Sequence, residues 1–261
     1  KIYEEHAMLL IKEAKRLYID DNKLEIELKE NVFAIDATTI DLCLSTFFWA
    51  TFRTTKAGIK LHTQIDIKTA IPEFILFSNA SVHDVNALDF ISFEANSFYI
   101  MDKGYVDYKR LYRIHLCNAF FVTRAKDNMN YRRLYSHPKD IKEGIIYDQT
   151  IMLNNHYASK DYPEKLRIIK FKDDLSGLTL IFLTNNFHLK ATDIALLYKA
   201  RWDIEMFFKW IKQHLKIKSF WGQSENAVKT QIWIAVSVYV LVAIAKKKFM
   251  LNQTLYEILQ I

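Results

Sequence analysis

The chain has 261 residues, 51% of them hydrophobic and 14% aromatic, so it is long enough for one large domain or for a domain with an insertion. A formal net charge of +6 and an isoelectric point near 9.0 favour an anionic partner such as nucleic acid. No Cys or His cluster has zinc-site spacing and no glycine-rich phosphate loop is present, which argues against zinc sites and nucleotide-binding folds. The two isolated cysteines, Cys43 and Cys117, are typical of buried, reduced thiols in a cytoplasmic protein.

The first predicted elements are a helix and a series of strands. Apolar residues at helical spacing predict a helix over residues 6–18. The short apolar run at residues 32–35 is typical of a central strand, and it is predicted to end at Asp36. Further strands are predicted at residues 45–51 and 60–67, joined across residues 56–58, and at residues 73–77.

A second buried strand is predicted at residues 98–101, and it too ends at an aspartate, Asp102. A short helix precedes it at residues 85–91, and a helix over residues 105–115 and a strand over residues 119–123 follow. Open α/β sheets place their active sites at the carboxyl ends of their strands. Asp36 and Asp102 are therefore candidate active-site residues.

The later part of the chain is predicted to be first β-rich and then helical. Strands are predicted at residues 145–153, 166–172 and 178–184, as a β-rich insertion before a helix that carries Glu205. The apolar run at residues 232–245 is shorter than the roughly 18 to 20 residues that span a bilayer, so a buried core helix is favoured over a membrane span.

Four polar residues, Tyr198, Arg201, Glu205 and Lys212, are separated by three, four and seven positions. On one α-helix, at roughly 100° per residue, they lie within an arc of about 60°. An apolar stripe runs beside them: Leu197, Ile204, Phe208, Ile211 and Leu215. A carboxylate between two cations and a phenol suits a metal ligand flanked by phosphate-binding groups. The alternative is an ordinary ion pair on a solvated face, although a cation N-terminal to the acid is the weaker orientation.

Asp36, Asp102 and Glu205 follow the order strand, strand, helix. Three carboxylates of this kind can hold two divalent ions that clamp the attacking and leaving oxygens at phosphorus. Hard oxygen ligands select Mg²⁺ or Mn²⁺.

The sequence resembles the DDE transposases of bacterial insertion sequences, of the insertion-sequence-four type. Their hallmark is Tyr, two residues, Arg, three residues, Glu, six residues, Lys, which Tyr198, Arg201, Glu205 and Lys212 match without a gap. The resemblance also covers Ile35-Asp36-Ala37-Thr38, Gly58-Ile59-Lys60-Leu61-His62, Met101-Asp102-Lys103-Gly104-Tyr105 and Phe121-Val122-Thr123-Arg124, and so runs from about residue 30 to the end. The family more often has Ser at the position of Ala37 and Arg at the position of Lys103. Lys103 keeps the positive charge of that arginine.

This resemblance implies an α/β fold: a ribonuclease-H-like mixed sheet flanked by helices, with a β-rich insertion before the helix that carries the catalytic Glu. Residues 1–127 would form a leading helix and the first part of the core, residues 128–188 the insertion, and residues 189–261 the catalytic helix and the C-terminal helices that complete the core. An N-terminal domain that recognises the element ends is also implied but is not visible in this sequence, so we expect the chain to be a piece of a longer protein.

The resemblance further implies metal-dependent cleavage at transposon ends, through a hairpin, and transfer of the freed 3′-hydroxyl into target DNA. Asp36, Asp102 and Glu205 would hold two Mg²⁺ or Mn²⁺ ions, and Tyr198, Arg201 and Lys212 would contact phosphates beside the scissile bond. The partners would be double-stranded DNA and a second copy of the chain on paired ends, in the bacterial cytoplasm at the nucleoid, with no membrane involved. Two alternatives are a nuclease on the same core without strand transfer and a non-catalytic DNA-binding protein.

Other residues are weaker candidates. Further DNA contacts are predicted at Lys103, Tyr105, Arg124, Lys126, Arg132 and Arg133. The basic run around Tyr131 could follow a DNA backbone or form a solvated loop. Structural roles are favoured for His62, His83, Asp66 and Asp84, and packing is favoured over base stacking for Trp202 and Trp210.

Overall fold

The structure, a computed structural model, describes residues 1–173, 176–214, 220–253 and 255–258. Its strands are β1 Val32–Leu42, β2 Thr51–Arg53, β3 Lys56–Asp66, β4 Ile71–Asn79, β5 Phe98–Met101, β6 Phe120–Arg124, β7 Tyr131–Ser136, β8 Ile145–Leu153, β9 Leu166–Lys172 and β10 Thr179–Thr184. Its α-helices are α1 Ile2–Leu17, α2 Tyr108–Leu116, α3 His156–Asp161, α4 Ala191–Ala200, α5 Trp202–His214, α6 Glu225–Lys248 and α7 Leu255–Ile258. Short 3-10 helices cover Phe48–Ala50, Asp84–Phe90 and Lys103–Tyr105.

The chain divides into two compact units. Unit 1 comprises Lys1–Lys23, Asp36–His83 and Trp202–Ile261, and unit 2 comprises Leu24–Ile35 and Asp84–Arg201. Strand β1 leaves unit 2 at Ile35 and continues into unit 1 from Asp36.

Unit 2 contains a parallel part and an antiparallel part of the sheet. The first residues of β1 pair in parallel with β5, where Ile35 is opposite Met101, and β5 pairs in parallel with β6. All four residues of β5 are at most 2% exposed, which explains why this strand reads as a continuous apolar run. Beyond β6 the order is β10, β9, β8 and β7, all antiparallel.

Unit 1 combines a strand hairpin with the longest helix. Strand β3 pairs antiparallel with β4 and with the short β2. Helix α1 packs on α6 through small and branched side chains, Ala7, Ile11 and Ala14. The Tyr18 hydroxyl at the end of α1 donates to the Ala243 carbonyl oxygen over 2.8 Å.

Helix α6 is the one helix of the described part of the chain that is long and apolar enough to cross a membrane. Of its most apolar window, 56% is buried within the protein, as in the core helix of a folded domain. The sequence-based preference for a core helix agrees with this burial.

The predicted fold class is confirmed: the chain is a mixed α/β protein with a large mixed sheet flanked by helices. The predicted β-rich insertion before α5 is present as β7 to β10. These strands extend the sheet of unit 2, because β10 pairs directly with β6, with Leu183 opposite Thr123.

Four local predictions are wrong. Strand β1 does not end at Asp36 but continues to Leu42, with its side chains changing at Asp36 from fully buried to half-buried. Residues 45–50 are not a strand. A turn closed by the Cys43 carbonyl, which accepts from the Thr46 and Phe47 amides, leads instead into the 3-10 helix Phe48–Ala50.

Residues 56–58, predicted as a connection, begin β3. The predicted burial of both cysteines is wrong as well, because Cys43 is exposed and Cys117 half-buried.

Candidate active site

Asp102 follows directly after the buried strand β5 and is half-buried. It caps the 3-10 helix Lys103–Tyr105, where its Oδ1 accepts from the Gly104 amide over 2.8 Å. The Thr123 hydroxyl, on the neighbouring strand β6, donates to the Asp102 carbonyl oxygen over 2.8 Å. The carboxylate is thus held at the carboxyl end of a central strand, with Oδ2 making none of these bonds.

Gly104 lies very close to this carboxylate. A Cβ atom at Gly104 would stand 2.9 Å from the Asp102 Oδ1, closer than real Cβ contacts come. The position therefore requires glycine for as long as Asp102 keeps this orientation. This explains why Gly follows the aspartate by two residues.

Tyr198, near the end of α4, gathers charged groups of unit 2 around its phenol. Burial raises the Tyr198 pKa, Arg201 and Arg124 act in the opposite direction, and Asp102 adds to the increase. The Arg201 guanidinium lies 5.7 Å from the centre of the Tyr198 ring.

Strand pairing explains why Arg124 reaches this cluster. Arg124 is opposite Phe182 in the β6–β10 pair, and the Phe182 ring packs 5.1 Å from the Tyr198 ring. No hydrogen bond or ion pair joins the Arg124 side chain to another described residue. Two guanidinium groups and the Asp102 carboxylate therefore act on one phenol, a combination suited to binding an anion beside a carboxylate.

A buried network, missed in the sequence analysis, holds the start of α4. Arg167 on β9 forms a two-pronged ion pair with Asp148 on β8, at 2.6 and 2.9 Å, and the side chains are 6% and 4% exposed. Its remaining nitrogen donates to the carbonyl oxygen of Leu189, just before α4, over 2.7 Å. Asn186 accepts from the amides of His188 and Leu189 in the same turn. The sequence shows an Asp and an Arg in two successive predicted strands, Asp148 and Arg167. It does not show the register of those strands, which is what places the two residues side by side.

Asp36, Glu205 and Lys212 belong to unit 1. Asp36 lies in β1, half-buried, and its Oδ1 accepts from the Ala37 amide over 2.8 Å. Glu205 and Lys212 are both half-buried on α5, seven positions apart and therefore on one face of that helix.

The single helix face predicted from Tyr198 to Lys212 is wrong in one respect. Helix α4 ends at Ala200 and α5 begins at Trp202, so Arg201 lies between two helices. The predicted apolar stripe is buried at Leu197, Ile204, Phe208 and Ile211, and Leu215 lies outside the described residues.

The weaker candidates differ in their surroundings. Lys103 is 3.4 Å from Asp127 in an exposed ion pair, and the Lys126 ammonium donates to the Val106 carbonyl oxygen. Tyr105 is only 1% exposed and belongs to the core. Arg132 and Arg133 are exposed on β7, at the edge of the sheet.

The remaining polar candidates have structural surroundings. His62 is 1% exposed and its Nε2 is 2.8 Å from the Ser78 hydroxyl, whereas His83 is exposed. Asp66 ends β3 and accepts from Lys68 and Thr69, and Asp84 begins a 3-10 helix.

The two tryptophans of α5 have opposite environments. Trp210 is 2% exposed and packs 5.2 Å from the Tyr239 ring, so it is a core residue. Trp202 is 61% exposed.

No group of three or more His, Cys, Asp or Glu side chains in the described ranges is arranged to hold a metal ion. The three-carboxylate site therefore stays a prediction. Ile35 and Met101 are partners in the parallel β1–β5 pair, and the next residue in each segment is Asp36 or Asp102. The donor set is made of hard oxygen ligands, which fits Mg²⁺ or Mn²⁺.

A family model described as the transposase DDE domain matches residues 27–241, which is most of the chain. The chain belongs to the transposase DDE-domain family. The resemblance to DDE transposases is thereby confirmed, and the insertion-sequence-four type is consistent with the relatives.

Among the similar proteins, a putative transposase of Sinorhizobium fredii, y4zB, is 38% identical over 203 residues, covering 76% of this chain and 56% of that protein. The probable transposase for insertion sequence element IS5377 of Geobacillus stearothermophilus is 28% identical, covering 79% and 54%. The putative transposase for insertion sequence element IS4SA of Synechocystis is 26% identical, covering 92% and 66%. This member of the DDE-domain family thus spans between about half and two thirds of the length of these relatives.

Among solved structures, this chain is similar to the piggyBac transposase synaptic complex with hairpin DNA. The two align with a TM-score of 0.48 and 12% identity, over 86% of this chain and 51% of that chain.

Proposed function

We propose that this chain is the catalytic domain of a DNA transposase that cuts DNA at the ends of an insertion sequence and joins the freed 3′-hydroxyl to target DNA. The observation that carries the proposal is the cluster of Asp102, Arg124, Tyr198 and Arg201 in unit 2. Membership of the transposase DDE-domain family supports the same reaction class.

Asp36, Asp102 and Glu205 are the proposed ligands of two Mg²⁺ or Mn²⁺ ions. The parallel pairing of Ile35 with Met101 supports a joint role for the two aspartates that follow them. Glu205 supplies the third carboxylate from α5. When bound, such ions stabilise the charge that develops on the attacking and leaving oxygens of an in-line displacement at phosphorus.

The cationic residues act on the DNA phosphates. Arg124 and Arg201 bind the phosphate beside the scissile bond, and Lys212 contacts a neighbouring one. Burial raises the Tyr198 pKa further above neutral, so the phenol keeps its proton and its hydroxyl donates a hydrogen bond to a phosphate oxygen. Lys103, Lys126, Arg132 and Arg133 are outer contacts to the DNA backbone.

The partners follow from the same proposal. The substrate is double-stranded DNA, both at the transposon ends and at the target. Cleavage passes through a hairpin on the transposon end. Two copies of the chain act together on paired ends. The reaction takes place on the bacterial nucleoid.

The deciding experiment is nicking and joining of end oligonucleotides in the presence and absence of Mg²⁺. Glu205→Gln keeps the shape of the side chain but loses the charge that holds a cation, so it should bind DNA normally and lose cleavage. Lys209→Ala, one turn further along α5, serves as the matched control for the helix itself.

Cleavage by Glu205→Gln at the wild-type rate would remove Glu205 from the metal site. Cleavage by the wild type without joining would instead favour the nuclease alternative. DNA binding with no cleavage under any divalent ion would favour a non-catalytic DNA-binding protein.

A further inference from the structure

A pocket in unit 1 lies beside Trp49 and is lined by none of the proposed catalytic residues. Its volume is about 270 Å³. The side chains that give it chemical character are two aromatic, two charged and one amide: Trp49, Phe77, Glu225, Lys229 and Asn79. We call it the Trp49 pocket.

The indole of Trp49 is held in place and still accessible. Its Nε1 donates to the Gln223 carbonyl oxygen over 2.7 Å, and the Phe47 ring packs against it edge to face at 6.3 Å. Its exposed fraction is nevertheless 37%. An aromatic ring fixed at one edge with a free face is a preorganised stacking surface.

A second lining residue, Phe77, is an aromatic ring with a cation over it. The Phe77 ring packs at 5.5 Å from Trp233, and the Lys229 ammonium lies 5.9 Å from the Phe77 ring centre. Lys229 also pairs with Glu225 at 2.6 Å. The pocket is therefore lined by two aromatic rings and by charged and amide side chains.

Exposed aromatic residues continue the surface outside the pocket. Phe48 is 74% and Trp221 is 86% exposed, and their neighbours are in contact, since the rings of Phe47 and Phe220 are 5.8 Å apart. Exposed large aromatic residues in one place mark an interaction site.

The cations near Trp49 in the chain indicate what the pocket binds. Lys229 lines the pocket together with Glu225. Arg53 and Lys56, which follow Trp49 by four and seven positions, are partners in the β2–β3 hairpin and are both exposed. Lysine is depleted at protein–protein interfaces, whereas aromatic rings alternating with cations bind single-stranded nucleic acid by stacking and by phosphate contacts. An amide and a carboxylate, such as Asn79 and Glu225, can meet the polar edge of a base.

We propose that the Trp49 pocket binds a nucleobase of an unpaired DNA strand, stacked on the Trp49 indole, while Arg53, Lys56 and Lys229 neutralise the flanking phosphates. The inference rests on the proposed function only in taking DNA as the partner. It assigns to unit 1 a contact with bases, in addition to the phosphate contacts of the catalytic residues.

The test compares a short single-stranded oligonucleotide with the same oligonucleotide carrying abasic sites, so that the phosphate charge is equal. The wild-type chain should bind the intact strand roughly 5- to 150-fold more tightly, the range for one stacked base. Trp49→Ala should remove this difference and leave the weak binding of the abasic strand unchanged. Trp49→Phe keeps a stacking face and should keep most of the difference.

Two results would overturn the proposal. One is equal binding of the intact and abasic strands by the wild type, a comparison that needs no variant to fold. The other is that Trp49→Phe loses the preference for the intact strand as completely as Trp49→Ala. Both variants lack the hydrogen bond to Gln223, so this result would show that Trp49 acts only through local structure.

Failure of the pocket and failure of the proposed function give different results. A wild-type chain that nicks duplex ends in Mg²⁺ but binds intact and abasic strands alike refutes the pocket alone. A chain that neither binds nor nicks duplex ends refutes the proposed function, whatever the single strands show.

Discussion

The Tyr198 phenol lies within the electrostatic reach of two arginines of unit 2, Arg201 and Arg124. Its pKa is raised by burial, which Arg201 and Arg124 oppose, and Asp102 is the carboxylate close enough to contribute. Arg124 has no hydrogen-bond or ion-pair partner for its side chain among the described residues. Like charges held together repel each other, so an anionic ligand that lies between them gains affinity from both.

The first prediction concerns these two arginines. Arg124→Ala and Arg201→Ala should each weaken DNA binding across sequences and reduce the slope of log affinity against log salt by roughly one unit, since each removes one phosphate contact. The measurement is complex formation over a salt series. The control is Lys160→Ala, because Lys160 is an exposed cation on α3. This variant should change the slope less than either arginine variant does.

An unchanged slope in both arginine variants would contradict the phosphate contacts. If the arginines were surface ion pairs, their loss would instead cost under about 1 kcal/mol of stability and leave DNA binding unchanged.

A second prediction at this scale concerns Gly104. In Gly104→Ala the new Cβ would stand 2.9 Å from the Asp102 Oδ1, so the carboxylate must move. A displacement of about 1 Å in an active site can reduce a rate by about 100-fold, and we expect a cleavage loss of that order with a folded protein. Rate and melting temperature are to be measured together.

The exposed neighbour Lys109, on α2, provides the control variant Lys109→Ala, which should cleave normally. Full activity of Gly104→Ala would show that the orientation of Asp102 seen here is not the one used in catalysis.

At the scale of elements, the two units position the proposed catalytic side chains differently. In unit 2 the sheet positions them, because Asp102 and Arg124 are placed by the ends of β5 and β6, and the start of α4 is tied to β9 through Arg167. In unit 1, Asp36 lies inside β1, and α5 carries Glu205 and Lys212 on one face.

The third prediction concerns the Arg167–Asp148 pair. Arg167→Met leaves a buried, uncompensated Asp148, and breaking such a pair costs about 3 to 5 kcal/mol of the free energy of unfolding. Denaturant titration measures this loss. The double variant Arg167→Met with Asp148→Leu removes both charges and should recover much of the stability. A double variant as unstable as the single one would show that the contact with Leu189, not the ion pair, is the essential interaction.

Sequence predicted some elements well and others poorly for physical reasons. The run at residues 98–101 was predicted correctly because a strand buried on both faces must be apolar at every position. The break at Arg201 was not predictable, since neither proline nor glycine occurs from Tyr198 to Lys212 and the periodicity continues through it. Local propensity therefore gives no signal for the end of α4 at Ala200.

The candidate site shows the same division. The four residues Tyr198, Arg201, Glu205 and Lys212 could be predicted as site residues because their spacing along the chain is visible in the sequence. The contribution of Arg124 depends on its register opposite Phe182, which a sequence does not give. The Trp49 pocket depends on the bond from Trp49 to Gln223, across 174 positions of sequence.

At the scale of the whole molecule, the basic charge and the family both favour the proposed DNA partner. A net charge of +6 favours association with a polyanion, and the family model covers residues 27–241. Net charge does not identify a reaction, however. The three proposed metal ligands lie 66 and 103 positions apart in sequence. Metal binding by the folded chain therefore tests whether these three carboxylates act together.

The last prediction is that divalent ions stabilise the chain in the absence of DNA. Binding to the folded state alone adds about 2.7 kcal/mol at a hundredfold excess of ion over its dissociation constant, which should raise the melting temperature by a few degrees, on the order of 2–4 °C per kcal/mol. Asp36→Asn and Asp102→Asn should each lose most of this shift in Mg²⁺ or Mn²⁺. Without metal, the same variants should melt at or above the wild-type temperature, because removing one carboxylate relieves the repulsion among the others. Asp161→Asn, an exposed carboxylate on α3, should keep the wild-type shift. If the aspartates were purely structural, the variants would melt at a lower temperature without metal and would keep the metal-induced shift. The metal-ligand role and the structural role therefore predict opposite results in both measurements.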